Sequence, residues 1–191
     1  MNILIVYAHP NKQSLSYATL QSVLRGLEES AHSHTIIDLY EDQFNPVLIF
    51  NDKIKRRDMK NDPETAEYRE KVQQADHMIF IFPVWWSGAP AILKGFFDRV
   101  FASDFAYTYQ GNIPKGLLKN MTATIIYTQD APKLFANTLG GKLEWKWIKR
   151  AVLGFCGVRK IKRLVFWGVR TSTKNKREQW LSKVYEYVRA L

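Results

Sequence analysis

Short apolar runs alternate with amphipathic stretches along this chain, and the two periods assign most of it. Residues 3–7 (Ile-Leu-Ile-Val-Tyr) are continuously apolar, the pattern of a strand buried on both faces. From Ser14 to Glu29 the positions Leu20, Val23, Leu24 and Leu27 recur at helical spacing, with Ser14 and Ser16 placed to cap the helix. A second strand is expected over residues 34–40. Residues 41–62 are polar, charged and weakly periodic, and read as a long surface excursion. A helix follows over residues 63–75, with Asp62 as cap and Pro63 at its first position, and it leads into a third strand, His77 to Phe82.

Pro83 ends that strand, and a helix begins after Pro90 with Leu93, Phe96, Phe97, Val100 and Phe101 as its core stripe. In residues 105–111, Tyr107 and Tyr109 share one side of an extended segment, where they either wall a pocket or cover the edge of the core. A fourth strand is expected at Met121 to Tyr127 and a break at Gly140-Gly141. The next helix has Trp147, Ile148, Ala151, Val152 and Phe155 as its apolar stripe. The fifth strand spans Lys160 to Val169, and a helix from Asn175 to Leu191 closes the chain, burying Trp180, Leu181, Val184, Tyr185 and Val188. Strand and helix alternate five times without repeat or linker. The expectation is one α/β domain over residues 1–191, a parallel sheet with helices on both faces. Right-handed crossovers bring the loops after strands one, three and four, residues 8–14, 83–90 and 128–132, to one end of the sheet, where open α/β folds bind ligands.

Composition narrows the chemistry. The single cysteine, Cys156, excludes an intramolecular disulfide, a Cys-x-x-Cys pair and a cysteine-ligated iron–sulfur cluster or structural zinc site, so any redox chemistry comes from a bound organic cofactor. The N-terminus lacks a signal-peptide pattern and no stretch reaches the length of a membrane span; a soluble, cytoplasmic protein is expected. The net charge of +10 is uneven. Residues 1–100 hold 11 Lys/Arg and 13 Asp/Glu, whereas residues 101–191 hold 17 and 5. The basic half either attracts an anion, such as a phosphorylated cofactor, a nucleic acid or a membrane surface, or is simply solvated. Nucleic-acid binding through Lys146, Lys149, Arg150, Arg159, Lys160, Lys162 and Arg163 rests on charge alone; attraction of cofactor phosphates is the simpler role, and no nucleic-acid partner is expected.

The three loops offer complementary groups. The first has no Gly-x-Gly-x-x-Gly fingerprint. It presents His9, Lys12, Ser14 and Ser16 at a helix N-terminus suited to a phosphate, although the serines serve equally as caps. The second presents Pro83, Val84, Trp85, Trp86 and Ser87, with backbone N–H groups expected free at residues 84–88. Flat aromatic surfaces beside N–H donors suit a flavin ring, whose N1–O2 edge gains negative charge on reduction; packing against a neighbouring subunit is the other use for the tryptophans. The third supplies Thr128, Gln129 and Asp130 for the ring's pyrimidine edge or a substrate. The four histidines have no metal spacing, and Ser87 is not in a nucleophile elbow.

Tyr7-Ala8-His9-Pro10, Ser14-Leu15-Ser16-Tyr17-Ala18, the run Phe82 to Val100, Phe105 to Tyr109 and Gly154-Phe155-Cys156-Gly157 together resemble the flavodoxin-like NAD(P)H:quinone oxidoreductase family. The resemblance implies a five-stranded flavodoxin-like sheet of order 2-1-3-4-5, a bound FAD or FMN, and NAD(P)H as donor. It also implies a quinone-like acceptor, ping-pong turnover, and a homodimer with sites at its interface. It assigns His9, Ser14, Leu15 and Ser16 to the flavin phosphates and Pro83 to Ser87 with Thr128 to Asp130 to the ring. Tyr107 and Tyr109 fall at the acceptor pocket, of the other subunit, and with Asp130 are the catalytic candidates. The best-known members carry a glycine-rich fourth loop followed by a tyrosine and a histidine, and the animal enzymes a C-terminal extension. Here the loop reads Thr128-Gln-Asp-Ala-Pro-Lys-Leu-Phe135 and no extension follows, which resembles a bacterial branch that includes drug-activity modulators. Related bacterial proteins serve as accessory subunits of potassium-efflux systems, so a flavin-binding regulatory subunit of a membrane transport system is the alternative.

Overall fold

The computed structural model describes residues 1–191. Five parallel strands form the main sheet: β1 (Asn2–Tyr7), β2 (Ser33–Asp38), β3 (His77–Pro83), β6 (Thr122–Gln129) and β7 (Ile161–Trp167), in the order β2-β1-β3-β6-β7. This is the expected 2-1-3-4-5 arrangement. Alternation along β1 sends Ile3, Ile5 and Tyr7 to one face and Leu4, Val6 and Ala8 to the other. On the first face α1 (Leu15–Glu28) and α6 (Lys174–Arg189) bury Leu20, Val23, Leu27, Val184 and Val188. On the second, α2 (Ala66–Gln74), α3 (Ala91–Val100) and a π-helical segment (Trp147–Gly154) cover a larger core that contains Phe80, Phe82, Phe96, Phe97 and Phe101. β3 is buried at every position, as its unbroken apolar run requires. No helix is long and apolar enough to cross a membrane.

The differences from expectation have local causes. Residues 107–116 form an antiparallel hairpin, β4 (Tyr107–Gln110) with β5 (Ile113–Gly116), in place of a single extended segment. The chain reverses at Gly111, whose φ of +61° is open to glycine. Two short helices, α4 (Lys133–Asn137) and α5 (Leu143–Lys146), precede the π-helical segment. There the buried positions are Glu144, Ile148 and Leu153; the last step is five residues, so Leu153 turns inward while Ala151, expected in the stripe, is exposed. In α6 only Val184 and Val188 are buried; Trp180, Leu181 and Tyr185 are half-exposed because the closing helix lies on the sheet's outer layer.

Candidate functional site

The loop after β1 packs on β3 through Ala8 N–H donating to Ile81 O (3.0 Å). Within it, Asn11 N–H donates to His9 Nδ1 (3.0 Å), which leaves Nε2 as the protonated, outward-available nitrogen. Burial lowers the His9 pKa and keeps the ring neutral. Ser14 caps α1: its Oγ accepts from Tyr17 N–H (3.1 Å). The N–H groups of Leu15 and Ser16 have no partner within the chain, the usual condition of a first helical turn. Two expectations change here. Ser16 does not cap the helix but is buried inside it, and the Lys12 ammonium is paired with Glu41, so its charge is already matched. Beneath this turn the Tyr7 hydroxyl is buried without a well-formed hydrogen bond, and burial pushes its pKa up to about 12 although the Ser14 side chain opposes the shift.

In the loop after β3, Pro83 is buried and Val84 is half-buried, its N–H donating to Thr128 O (2.8 Å). Trp85 and Gly88 then exchange both backbone hydrogen bonds, at 3.0 and 2.9 Å. Trp86 and Ser87, between them, have φ of +51° and +56°. These are the φ signs of a type I′ turn, a form that Asn-Gly adopts easily and Trp-Ser does not. Of the five N–H groups expected free, those of Val84, Trp85 and Gly88 are therefore used internally, and those of Trp86 and Ser87 remain unpartnered. The turn holds the Trp86 ring fully in solvent (103% relative exposure) and Trp85 at 42%, with the Trp85 ring 6.1 Å from that of His9.

The end of β6 continues the row: Thr128 and Gln129, expected in a loop, still pair with Phe166 and Trp167 of β7, and the loop begins at Asp130. Thr128 is half-buried. Gln129 is 8% exposed and its side-chain Oε1 is buried with no donor. Asp130 is exposed, and its Oδ1 accepts from Arg170 N–H (2.8 Å), while Gly168 N–H donates to Gln129 O (2.8 Å). A fourth loop, after β7, thus joins the cluster, which the sequence reading missed. Gly168, at a φ of +63° ahead of Thr171-Ser172-Thr173, was the available signal.

The loops of His9, Ser14, Leu15 and Ser16, of Pro83 to Ser87 and of Thr128 to Asp130 are thereby linked side by side. Tyr107 and Tyr109 stand apart. Their rings meet edge to face at 5.9 Å, and they line a cleft with Arg56, Phe97, Phe101 and Phe155. That cleft sits at the far end of α3, whose first turn adjoins the second loop, roughly 15 Å along the helix axis. Tyr107 is buried and Tyr109 exposed. Cys156 is buried and its thiol is pushed up to about 12, so it is inert at neutral pH.

The cluster has the donor and acceptor pattern of a flavin site. N–H groups in the first turn of α1 are free to donate to a phosphate, N–H groups on a strained turn beside the indole rings are unpartnered, and a buried side-chain carbonyl oxygen lacks its donor. It lies where the strand order reverses between β1 and β3.

Residues 1–189 match the family described as having the flavodoxin-like fold. The guinea pig (Cavia porcellus) NAD(P)H dehydrogenase [quinone] 1 is 31% identical over 87% of this chain and 68% of its own length. A protein of known crystal structure from Streptococcus mutans UA159 is 39% identical over the whole of both chains, with a TM-score of 0.93. An NAD(P)H:quinone oxidoreductase from Methanothermobacter marburgensis is 26% identical over 99% of this chain and 96% of its own, with a TM-score of 0.83. The chain belongs to the flavodoxin-like NAD(P)H:quinone oxidoreductase family.

Proposed function

We propose that this protein is a flavin-dependent NAD(P)H oxidoreductase that reduces quinone-like aromatic acceptors by two electrons. The carrying observation is the buried, donorless Gln129 Oε1, which is costly to leave unpaired, in the same loop cluster as the exposed N–H groups of Trp86 and Ser87, which are free to donate to a ligand. In this reading the first turn of α1 and His9 Nε2 hold the phosphate, with Ser14 fixing the turn. Trp85 and Trp86 would flank a bound ring, with the N–H groups of Trp86 and Ser87 as donors and Gln129 Oε1 as an acceptor for its polar edge. A flavin bound here would supply hydride acceptance from NAD(P)H and two-electron reduction of an acceptor in the same space, for which ping-pong turnover is expected. Asp130, tied to Arg170, braces the third and fourth loops and orients the acceptor.

Within one chain the Tyr107–Tyr109 cleft is remote from the loops, and Trp86, Tyr109 and Ile113 are exposed. A homodimer in which the partner's hairpin closes the site accounts for both. The sequence Thr128 to Phe135, at the end of β6 and beyond it, supports the bacterial drug-activity-modulator-like branch, and residues 1–191 act as one cytoplasmic domain. The visible spectrum of the purified protein, with the mass of the released chromophore, tests the reading. A flavin spectrum and parallel initial-rate lines are expected; a colourless protein that takes up neither FMN nor FAD overturns it.

A further inference from the structure

Residues 131–147 bury the wrong side of themselves for an ordinary surface segment. The large apolar side chains of residues 131–143 point outward: Leu134 is 77% exposed, Phe135 52%, Leu139 85% and Leu143 56%. The two buried residues are Ala136 and Glu144, at 3% exposure each. A carboxylate taken out of water costs several kcal/mol unless it is bonded. Glu144 is bonded: its Oε1 accepts from the buried Tyr127 hydroxyl (2.9 Å). Arg163 on β7 donates from one nitrogen to the same Tyr127 oxygen (3.2 Å) and from the other to Asn137 Oδ1 on α4 (3.3 Å). Its guanidinium also lies 5.1 Å from the Trp145 ring centre. The segment is thus attached to β6 and β7 by polar bonds at Asn137 and Glu144, while Trp145 and Trp147 at its C-terminal end pack on the core. Burial and the neighbouring Glu144 raise the Tyr127 pKa, so the phenol stays protonated and remains the donor.

The attachment point matters because Tyr127 immediately precedes Thr128 and Gln129, and its ring stacks on Phe82, the residue before Pro83 (5.8 Å, 21°). The segment leaves the site directly, Leu134 lying four residues after Asp130, within about 14 Å of it by chain length. We infer that Tyr127, Glu144 and Arg163 are positioning residues, a buried latch that holds residues 131–147 beside the acceptor space with Leu134, Phe135 and Leu139 as its apolar wall. The inference rests on the proposed oxidoreductase reading. Apolar groups beside Lys133 and Lys142 select a flat aromatic acceptor and tolerate an anionic substituent on it.

The holoenzyme Tyr127→Phe keeps the stacked ring and loses only the hydroxyl. The expected result is an acceptor KM, measured with a neutral naphthoquinone, raised roughly tenfold, the equivalent of one net hydrogen bond. The flavin content stays within about twofold, since the flavin loops keep their bonds, and the KM for NAD(P)H rises less than that for the acceptor, because only its nicotinamide ring enters the space beside the wall. Glu144→Gln retains an acceptor for Tyr127 and stays near the parent KM, whereas Glu144→Leu behaves like Tyr127→Phe. Amide exchange over residues 133–146 rises in Tyr127→Phe while β1 and β3 keep their protection. An unchanged KM, or equal loss in both half-reactions, overturns the latch. If Tyr127→Phe does not fold, the Glu144→Gln and Glu144→Leu pair decides by the same KM comparison. A parent protein without flavin or acceptor turnover would instead sink the oxidoreductase reading, and the exchange measurement would still report on the latch.

Discussion

Trp86 and Ser87 hold left-handed backbone that costs an L-residue about 1–2 kcal/mol each, and Trp86 gains nothing from packing because its ring is fully exposed. Strain of this kind persists where the surroundings impose it and a ligand uses it. Replacing Trp86 by glycine separates the two roles. The apo protein is expected to become more stable by about 1 kcal/mol in urea denaturation, since glycine removes the left-handed penalty and forfeits no contact. The flavin dissociation constant is expected to rise, because the ring loses its aromatic flank. A variant that loses stability, or binds flavin as tightly as the parent, would show that the turn is structural. The double tryptophan marked this loop in the sequence. Which N–H groups were free did not show there, because that depends on a Trp85–Gly88 pairing whose turn type Trp-Ser does not advertise.

At the scale of elements, the excursion over residues 39–62 is held to α3 by two groups one helical turn apart. Gly95 lets Pro46 approach so closely that an added Cβ would lie 2.3 Å from Pro46 O and Cβ. Arg99, buried, donates to Asn45 O (2.8 Å) and pairs with Asp62 and Glu64 at 2.7 Å each. Gly95→Ala is expected to destabilise by about 2 kcal/mol, as overpacking does, and to speed proteolysis between Val47 and Ile54, where Val47, Ile49, Phe50 and Ile54 are exposed. Thermal melting and limited digestion check both effects. This docking was not legible in the sequence, where the excursion is merely polar and Gly95 and Arg99 sit inside a helical pattern with no sign of a partner 50 residues away. The centre of the sheet was legible, because Ile3 to Tyr7 and Met78 to Phe82 are apolar at consecutive positions, as in a parallel strand covered on both faces. The site was legible loop by loop, from His9 and Ser14, the tryptophans, and Thr128 to Asp130. The loop after β7 was not, since its contribution is backbone, Gly168 and Arg170 N–H groups that any sequence supplies. The π-helical step at Leu153 likewise defeats a 3.6-residue period.

For the whole molecule, one buried titratable group at the opposite end of the sheet from the loops sets how folding responds to acid. His77 opens β3, is 5% exposed, and bonds through Nδ1 to Thr122 Oγ1 (2.6 Å) and through Nε2 to Thr124 Oγ1 (3.0 Å). Thr124 in turn meets the Tyr187 hydroxyl of α6 at 2.9 Å, so the network joins β3, β6 and the closing helix. Burial, and then the nearby Lys162 and His32, lower the His77 pKa to about 4. The unfolded chain, with an ordinary value near 6.5, therefore binds more protons than the native state between these two values. Stability from this group is fully present above the unfolded value and is lost as pH falls through about 4, by roughly 3 kcal/mol in total. His77→Gln keeps hydrogen-bonding capacity and has no proton to take up. The urea unfolding free energy of the parent is expected to drop by that amount between pH 7 and 4 relative to His77→Gln, whose profile is flatter; parallel profiles would show that His77 does not govern the acid limb. Because the network anchors α6, the same acidification should raise amide exchange in α6 before it does in α3, which shares none of these bonds.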